Sequence, residues 1–212
     1  MRSDLTAKSL LINCYRNPTK IDGLNKILEN YGPCKVVYYL EINQEYQIDK
    51  VIDSVIISGS EYRITEHSDR VKFKDILDFI KICNLPIFGI CFGHQLLCSA
   101  FGAKTGKLQE PVINRFENIR VLQTDNLFAS IKEGGSITLS EYHNDYVLKE
   151  GLDNAGFVLL ADSVSCEVEA VEHKSKPFYG VQFHPERINI KGELHLEGHR
   201  VIENFYRNIV KR

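Results

Sequence analysis

The sequence has no marked excess of charge of either sign and no long run of hydrophobic residues. Its 212 residues include 26 lysines and arginines against 28 aspartates and glutamates, a formal net charge of -2 with histidine neutral. A near-neutral chain without a basic run lacks the electrostatic signature of a nucleic-acid-binding surface. No apolar stretch is long enough to span a bilayer, and no secretory signal pattern is visible. We therefore expect neither nucleic acid nor a membrane among its partners.

The cysteine patterns of small secreted domains are also missing. The six cysteines form no C-x-x-C pair and no disulfide framework, so reduced thiols in the cytoplasm are the simplest account. Internal repeats, low-complexity tracts and linkers are absent as well. With 43% hydrophobic residues, a chain of this length can bury one large core. We predict a single domain over residues 1–212 and no metal site.

The order of the apolar segments predicts an α/β fold. Buried strands are predicted at residues 9–14, 35–40, 55–57 and 87–90. Apolar residues at helical spacing lie between them, at residues 24–31 and from about residue 69 to residue 80. Continuous apolar strands that alternate with helices favour parallel pairing, with helices on both faces of the sheet.

The pattern changes from about residue 107 to residue 180, where short alternating runs are separated by glycines such as Gly134 and Gly135. Such runs favour antiparallel pairing. A last helix is predicted with Val201, Ile202 and Phe205 on its inner face. The predicted fold is therefore a mostly parallel central sheet flanked by helices, with a smaller antiparallel sheet.

The most informative motif lies where the strand at residues 87–90 ends. Cys91 follows this strand, between Gly89 and Gly93, and a helical pattern begins immediately after it. Glycines permit the tight strand-to-helix turn on which a nucleophile is presented, and a helix N-terminus favours thiolate over thiol. Taken alone, the segment is equally compatible with a buried structural cysteine at a strand end.

A second apolar run ends in His184-Pro185-Glu186. A thiol nucleophile requires a base, and the base requires a group that orients it. Alternation along an extended strand end puts His184 and Glu186 on the same side. His184 can then face Cys91 while Glu186 accepts a hydrogen bond from the other ring nitrogen. The two segments together favour a catalytic cysteine.

Together, GICFGHQ (residues 89–95) and FHPE (residues 183–186) resemble the class I, or triad, glutamine amidotransferase domain. IISGS (residues 56–60) is similar to the family's strand and glycine loop, which supplies an oxyanion-hole amide, although the loop's usual proline is missing. SEYHNDYV (residues 140–147) resembles the Ser-His-x-Asp-x-Val stretch of the amidotransferase part of GMP synthases. The resemblance covers most of the chain and implies a flavodoxin-like α/β fold.

This resemblance implies a glutaminase that supplies ammonia by means of a triad of Cys91, His184 and Glu186. Cys91 would attack the side-chain amide of L-glutamine and form a γ-glutamyl thioester. The backbone N–H groups of Gly59 and Phe92 would hold the oxyanion. The resemblance further implies four substrate-binding residues, Gln95, His143, Asn144 and Asp145. The reaction would require no cofactor.

The implied ammonia acceptor would be activated on another polypeptide. The sequence contains no Walker-type phosphate loop and no Ser-Gly-Gly-x-Asp-Ser motif. The expected partner is therefore a separate synthetase subunit of the ATP-pyrophosphatase type, for GMP synthesis if the GMP synthase resemblance holds. One alternative is a stand-alone hydrolase of γ-glutamyl peptides or amides with the same chemistry at Cys91. Another is a non-catalytic binding protein, against which the intact Cys, His and Glu argue.

Overall fold

The computed structural model describes residues 6–124, 126–129 and 131–210. Its strands are β1 (Ser9–Asn13), β2 (Cys34–Tyr38), β3 (Ser54–Ile57), β4 (Ile87–Ile90), β5 (Thr105–Val121), β6 (Ser136–Val147), β7 (Phe157–Asp162), β8 (Ala170–His173), β9 (Phe178–Val181), β10 (Asn189–Ile190) and β11 (Glu193–Leu194). Its α-helices are α1 (Asp22–Leu28), α2 (His67–Lys72), α3 (Lys74–Ile82), α4 (Phe92–Ala100) and α5 (Glu197–Asn204), and a π-helical segment, Phe205–Val210, continues α5.

Nine strands of the described chain form one mixed sheet in the order β2-β1-β3-β4-β9-β8-β7-β5-β6, and β10 pairs with β11 separately. The pairs from β2 to β9 are parallel. The pairs from β9 to β6 are antiparallel. The predicted α/β fold is confirmed. The antiparallel strands after residue 107 extend the parallel sheet, because β8 pairs along the free edge of β9.

Both faces of the parallel strands are covered by helices. Along β1, Leu10 and Ile12 pack into one apolar cluster with residues of α3 and α4. Leu11 points to the opposite face and packs with residues of α1 and α5. All three side chains are fully buried, and each such burial stabilises the fold by about 1.5–3 kcal/mol. No helix within the described ranges is long and apolar enough to cross a membrane.

The helix predicted from about residue 69 is divided into α2 and α3 at Phe73. This residue has φ -102° and ψ 14°, which is outside the helical region. Its ring is fully buried between Tyr39 and Phe92, with centroid distances of 4.5 Å and 4.7 Å. Packing of one large aromatic side chain therefore overrides the helical periodicity of the sequence.

Two other elements end two or more residues earlier than predicted. Strand β2 stops at Tyr38, where the Glu41 carboxylate accepts the backbone N–H of Tyr38 at 2.7 Å and caps a short 3₁₀ turn. Helix α1 stops at Leu28, and Tyr31 stacks on Tyr206 with ring centroids 4.7 Å apart. In both cases, the end of the element is set by a contact with a residue beyond it in the chain or in the fold, Glu41 for β2 and Tyr206 for α1.

Strand β4 brings three loops to one edge of the sheet. It pairs in parallel with β3 on one side and with β9 on the other. The carboxyl ends of parallel strands meet at the same edge, where ligands bind in sheets of this kind. Gly59 follows β3, Cys91 follows β4 and His184 follows β9, so these three residues are brought together by strand pairing alone.

The close packing of α4 on β3 predicts a large effect for Gly93→Ala. An added Cβ at this position would lie 2.2 Å from the Ile57 carbonyl oxygen, so the helix must move. We expect a loss of about 1–3 kcal/mol in the free energy of unfolding, the usual range for overpacking. Gly23→Ala in α1 is the matched control, because nothing lies within 4 Å of its added Cβ. Chemical denaturation should show this control to be neutral or stabilised, and equal losses in both variants would contradict the packing argument.

Candidate active site

Cys91 has a strained backbone conformation at the turn between β4 and α4. Its φ is 50° and its ψ is -104°. A non-glycine residue in a sparsely populated region costs on the order of 1–3 kcal/mol, so its surroundings must hold it there. The Cys91 N–H donates to the Val181 carbonyl at 2.7 Å, and its own carbonyl accepts from Gln95 N at 3.1 Å. The turn is thus anchored to β9 on one side and to α4 on the other.

The thiol of Cys91 contacts two further polar groups. Its Sγ lies 3.7 Å from the carbonyl oxygen of Tyr142, in hydrogen-bonding geometry. The side-chain amide of Gln182 donates to the same sulfur at 3.5 Å. Cys91 is only 5% exposed, so it lies at the floor of the site.

His184 lies beside Cys91 and is oriented by Glu186. The Nδ1 atom of His184 is 2.8 Å from Oε1 of Glu186, and the imidazole is within hydrogen-bonding reach of the Cys91 thiol. The backbone N–H of His184 donates to the Ser140 carbonyl at 2.8 Å, which fixes the loop after β9. The structure therefore brings a thiol, an imidazole and a carboxylate into one row.

The electrostatics of this row favour a charged imidazole. Burial disfavours the imidazolium, but the Glu186 carboxylate and Cys91 outweigh it and raise the pKa of His184 to about 10. Burial favours a neutral Glu186, yet the neighbouring His184 lowers the pKa of this carboxyl group below its ordinary value. At neutral pH, His184 therefore carries a proton while Glu186 is ionised.

Two backbone amides were predicted to line the site. A Cβ added to Gly59 would lie 3.1 Å from Cε1 of His184 and 3.7 Å from Cβ of Cys91, so the Gly59 backbone passes beside both. The same Cβ would lie 3.1 Å from the hydroxyl of Tyr15. Phe92 is the first residue of α4, where backbone N–H groups have no partner within the helix.

An open cleft of about 270 Å³ lies over Cys91. Its lining comprises residues 60–63, 111–113 and 142–145, together with Cys91, Phe92 and Gln95. It includes all four predicted substrate-binding residues, Gln95, His143, Asn144 and Asp145. The irregular part of β5 at residues 111–113 was not indicated by the sequence, because its register shifts against β6 arise only on pairing.

The polar groups around the cleft are largely bonded to one another. The amide of Gln95 donates to the Asp145 carbonyl oxygen at 2.7 Å. The Asp145 carboxylate accepts from the Thr65 backbone and hydroxyl at 3.0 Å and 2.6 Å. Asn144 donates to the other carboxylate oxygen at 2.9 Å, and the buried His143 ring lies 3.3 Å from the Asp145 carbonyl. These bonds join β6, α4 and the loop at Thr65 into one wall of the cleft.

Two residues that contact Cys91 or Gly59 were not predicted from the sequence. Gln182 is fully buried two positions before His184, and a polar residue in an otherwise apolar strand end was the available signal. Tyr15 is buried beside Gly59, but it follows β1, and no local pattern connects it to the site.

The described residues contain one cluster with the donor types of a metal site. His143, Cys166 and Glu169 are buried and place their ligand atoms within 4.8 Å of one another. The cluster lies outside the row of Cys91, His184 and Glu186. The absence of a metal therefore stays a prediction.

Comparison with known proteins agrees with these observations. The sequence profile of the glutamine amidotransferase class-I family matches residues 11–209. A glutamine-hydrolysing GMP synthase subunit from Methanothermobacter thermautotrophicus is 38% identical over 130 residues, 61% of this chain and 64% of that protein. The corresponding protein from Methanococcus aeolicus is 33% identical over 173 residues, which cover 82% of each chain.

Solved structures show the same architecture. A Thermoplasma acidophilum structure described as a GMP synthase subunit superposes with a TM-score of 0.79 at 28% identity, covering 95% of this chain and 92% of that one. A Thermotoga maritima glutamine amidotransferase gives a TM-score of 0.77 at 14% identity, covering 97% and 99%, and supports the fold alone. The chain belongs to the class I glutamine amidotransferase family.

Proposed function

We propose that this chain hydrolyses the side-chain amide of glutamine and passes the ammonia to a separate synthetase subunit. The observation that carries the proposal is the strained turn of Cys91, with φ 50°, beside a His184 that Glu186 orients at 2.8 Å. A strained nucleophile next to an oriented base is the arrangement of covalent acyl transfer.

In the first half-reaction, the Cys91 thiolate attacks the amide carbon of glutamine. The backbone N–H groups of Gly59 and Phe92 stabilise the oxyanion, and loss of one such donor typically lowers kcat by about 10²–10³. The C–N bond then breaks as His184 gives its proton to the nitrogen. Ammonia leaves, and a γ-glutamyl thioester remains on Cys91.

In the second half-reaction, His184 is neutral and removes a proton from water. The hydroxide attacks the thioester carbon, the C–S bond breaks, and glutamate is released with Cys91 again a thiolate. Glu186 holds the imidazole throughout and stabilises each imidazolium that forms. Gln95, His143, Asn144 and Asp145 would position the amino-acid end of the substrate, since they border the cleft over Cys91. No cofactor is required by these steps.

The curated relatives support a synthetase partner and, as the pathway, GMP synthesis. The proteins from Methanothermobacter and Methanococcus are named as subunits of a glutamine-hydrolysing GMP synthase. The partner would be of the ATP-pyrophosphatase type, as the resemblance to GMP synthases implies. We place the activity in the cytoplasm, since all six cysteines are free.

Substitutions of Cys91 distinguish an effect on glutamine hydrolysis from an effect on the stability of the fold. Cys91→Ala should abolish glutamine hydrolysis, and 6-diazo-5-oxo-norleucine should label Cys91 while sparing Cys14 and Cys98, which are fully buried. Cys91→Gly should be equally inactive but more stable than Cys91→Ala by about 1 kcal/mol, since glycine relieves the positive φ. Activity assays, peptide mass spectrometry and denaturation measure these effects. A label on another cysteine would refute the assignment of the nucleophile.

The role of Glu186 can be measured at His184 directly. Glu186→Gln removes the carboxylate that raises the pKa of His184 to about 10, so the imidazole should titrate at a clearly lower pH. Its imidazolium is present below the folded-state pKa and lost above it, so the charged form should disappear nearer neutrality in the variant. NMR titration of the His184 ring in both proteins tests this. An unchanged midpoint would mean that Glu186 acts elsewhere.

The partner can be tested by reconstitution. The isolated chain should hydrolyse glutamine slowly, and a synthetase subunit should stimulate it strongly, because docking would select the active arrangement of the loops at Gly59 and His143. Rates on glutamine and on γ-glutamyl dipeptides, with and without the synthetase, are the measurement. Cys91→Ala with the synthetase is the control. Rapid, partner-independent cleavage of γ-glutamyl peptides would instead establish the stand-alone hydrolase.

A further inference from the structure

Two glutamate side chains are buried together beside the active site. Glu141 on β6 and Glu169, immediately before β8, are both fully buried. Their carboxyl groups lie within hydrogen-bonding reach of each other. Both oxygens of Glu141 and one oxygen of Glu169 have no donor hydrogen to accept from among the described residues. Two ionised carboxylates in this arrangement would repel each other in a medium of low dielectric constant.

No lysine or arginine of the described chain forms an ion pair with either carboxyl group. The nearby acids Glu117 on β5 and Asp162 on β7 are paired with Arg115 and Arg120. A hydroxyl group satisfies only one oxygen of the pair: Ser163 donates to Oε1 of Glu169 at 2.6 Å. The negative charge of the two carboxylates is therefore not balanced by a basic side chain.

His143 does not supply the missing donor either. Its Nδ1 lies 3.3 Å from the Asp145 carbonyl oxygen, which can only accept, so we assign the ring hydrogen to Nδ1. Its Nε2 is then an acceptor, and it lies 3.4 Å from Oε2 of Glu141. Burial lowers the pKa of His143 to about 4, so the ring is neutral at neutral pH. Only a proton on one of the carboxyl groups gives the pair a hydrogen bond.

The pair of glutamates lies next to the backbone segments that contact Cys91 and His184. Glu141 stands between Ser140, whose carbonyl accepts the His184 N–H at 2.8 Å, and Tyr142, whose carbonyl lies 3.7 Å from the Cys91 sulfur. On the other side, the Glu169 carbonyl accepts the Gln182 N–H at 2.8 Å. The Gln182 side chain donates to the Cys91 sulfur at 3.5 Å.

We propose that Glu141 and Glu169 are positioning residues that share one proton, and that this bond holds the two backbone segments that set the geometry of Cys91 and His184. The shared proton joins residues 140–142 to the segment that carries Gln182. Neither glutamate takes part in bond making. The effect on turnover rests on the proposed function, whereas the shared proton is independent of it.

The proposal predicts that the arrangement of Cys91 and His184 is disturbed at alkaline pH. Burial and mutual repulsion raise the pKa of Glu141 well above its ordinary range, and burial also raises the pKa of Glu169. Because these pKa values are raised by folding, the stabilisation is complete below the ordinary carboxyl range and is lost as the pH rises through the pair's own value. The groups around the pair and its neighbour His143 are Cys91, Glu117, Asp162, Cys166, Arg115 and His184. The two cations among them are paired elsewhere, Arg115 with Glu117 and His184 with Glu186.

Glu141→Gln tests the proposal, because an amide donates to Glu169 without needing a proton. The pH profiles of kcat/KM for the variant and the wild type should coincide near neutrality and diverge only at alkaline pH. There the wild type should lose activity at least one pH unit earlier. The rate at which chloroacetamide alkylates Cys91 should diverge in the same way, and this readout does not depend on the substrate. Glu167→Gln, an exposed glutamate of the same segment, is the matched control and should follow the wild type.

The proton itself is detectable without any variant. Carbon NMR of protein labelled at the glutamate carboxyl groups should show one protonated carboxyl at neutral pH, absent from both Glu141→Gln and Glu169→Gln. The proposal would be overturned if the wild type shows no such resonance. It would also be overturned if the kcat/KM profiles of the wild type and Glu141→Gln coincide at alkaline pH. Stoichiometric zinc that disappears in Glu169→Gln would also overturn it, because His143, Cys166 and Glu169 would then be ligands instead. A chain that shows the proton but no glutaminase activity would refute only the proposed function.

Discussion

The parallel pairing of β4 with β3 and β9 is the constraint on which the site depends. Ladder bonds continue past the end of β4, where the Cys91 N–H donates to the Val181 carbonyl at 2.7 Å. That bond holds the strained φ of 50° and places Cys91 next to His184, which follows β9. The arrangement of the proposed catalytic residues is therefore set by the register of the sheet and not by flexible loops.

The buried acidic groups on the two sides of Cys91 are stabilised in different ways. On one side, His184 and Glu186 compensate each other, and the histidine keeps its proton despite complete burial. On the other side, no lysine or arginine in the described parts of the chain forms an ion pair with Glu141 or Glu169, and the proposed shared proton lets the two coexist. Desolvation is severe at both places, and the identity of the neighbouring group decides whether burial produces an ion pair or a neutral acid.

Local patterns in the sequence predicted the parallel strands well, because continuous apolar runs of three to six residues between glycines and polar turns have few other solutions. Strand β4 was predicted with the bounds that it has, Ile87–Ile90. The division at Phe73 could not be foreseen, because it depends on aromatic rings from the end of β2 and from α4. Likewise, a buried glutamate at position 141 looks like any polar residue of an alternating strand until its partner at position 169 is known.

The α/β class, the strand-to-helix turn at Cys91 and the pairing of His184 with Glu186 could be predicted, since each follows from residues that are neighbours in the chain. Only the folded chain shows that Gln182 and the Tyr142 carbonyl contact the sulfur, that Tyr15 borders Gly59, and that Glu141 meets Glu169. The physical reason is distance along the chain. Contacts between remote segments depend on register and packing, and these are set only when the whole sheet has assembled.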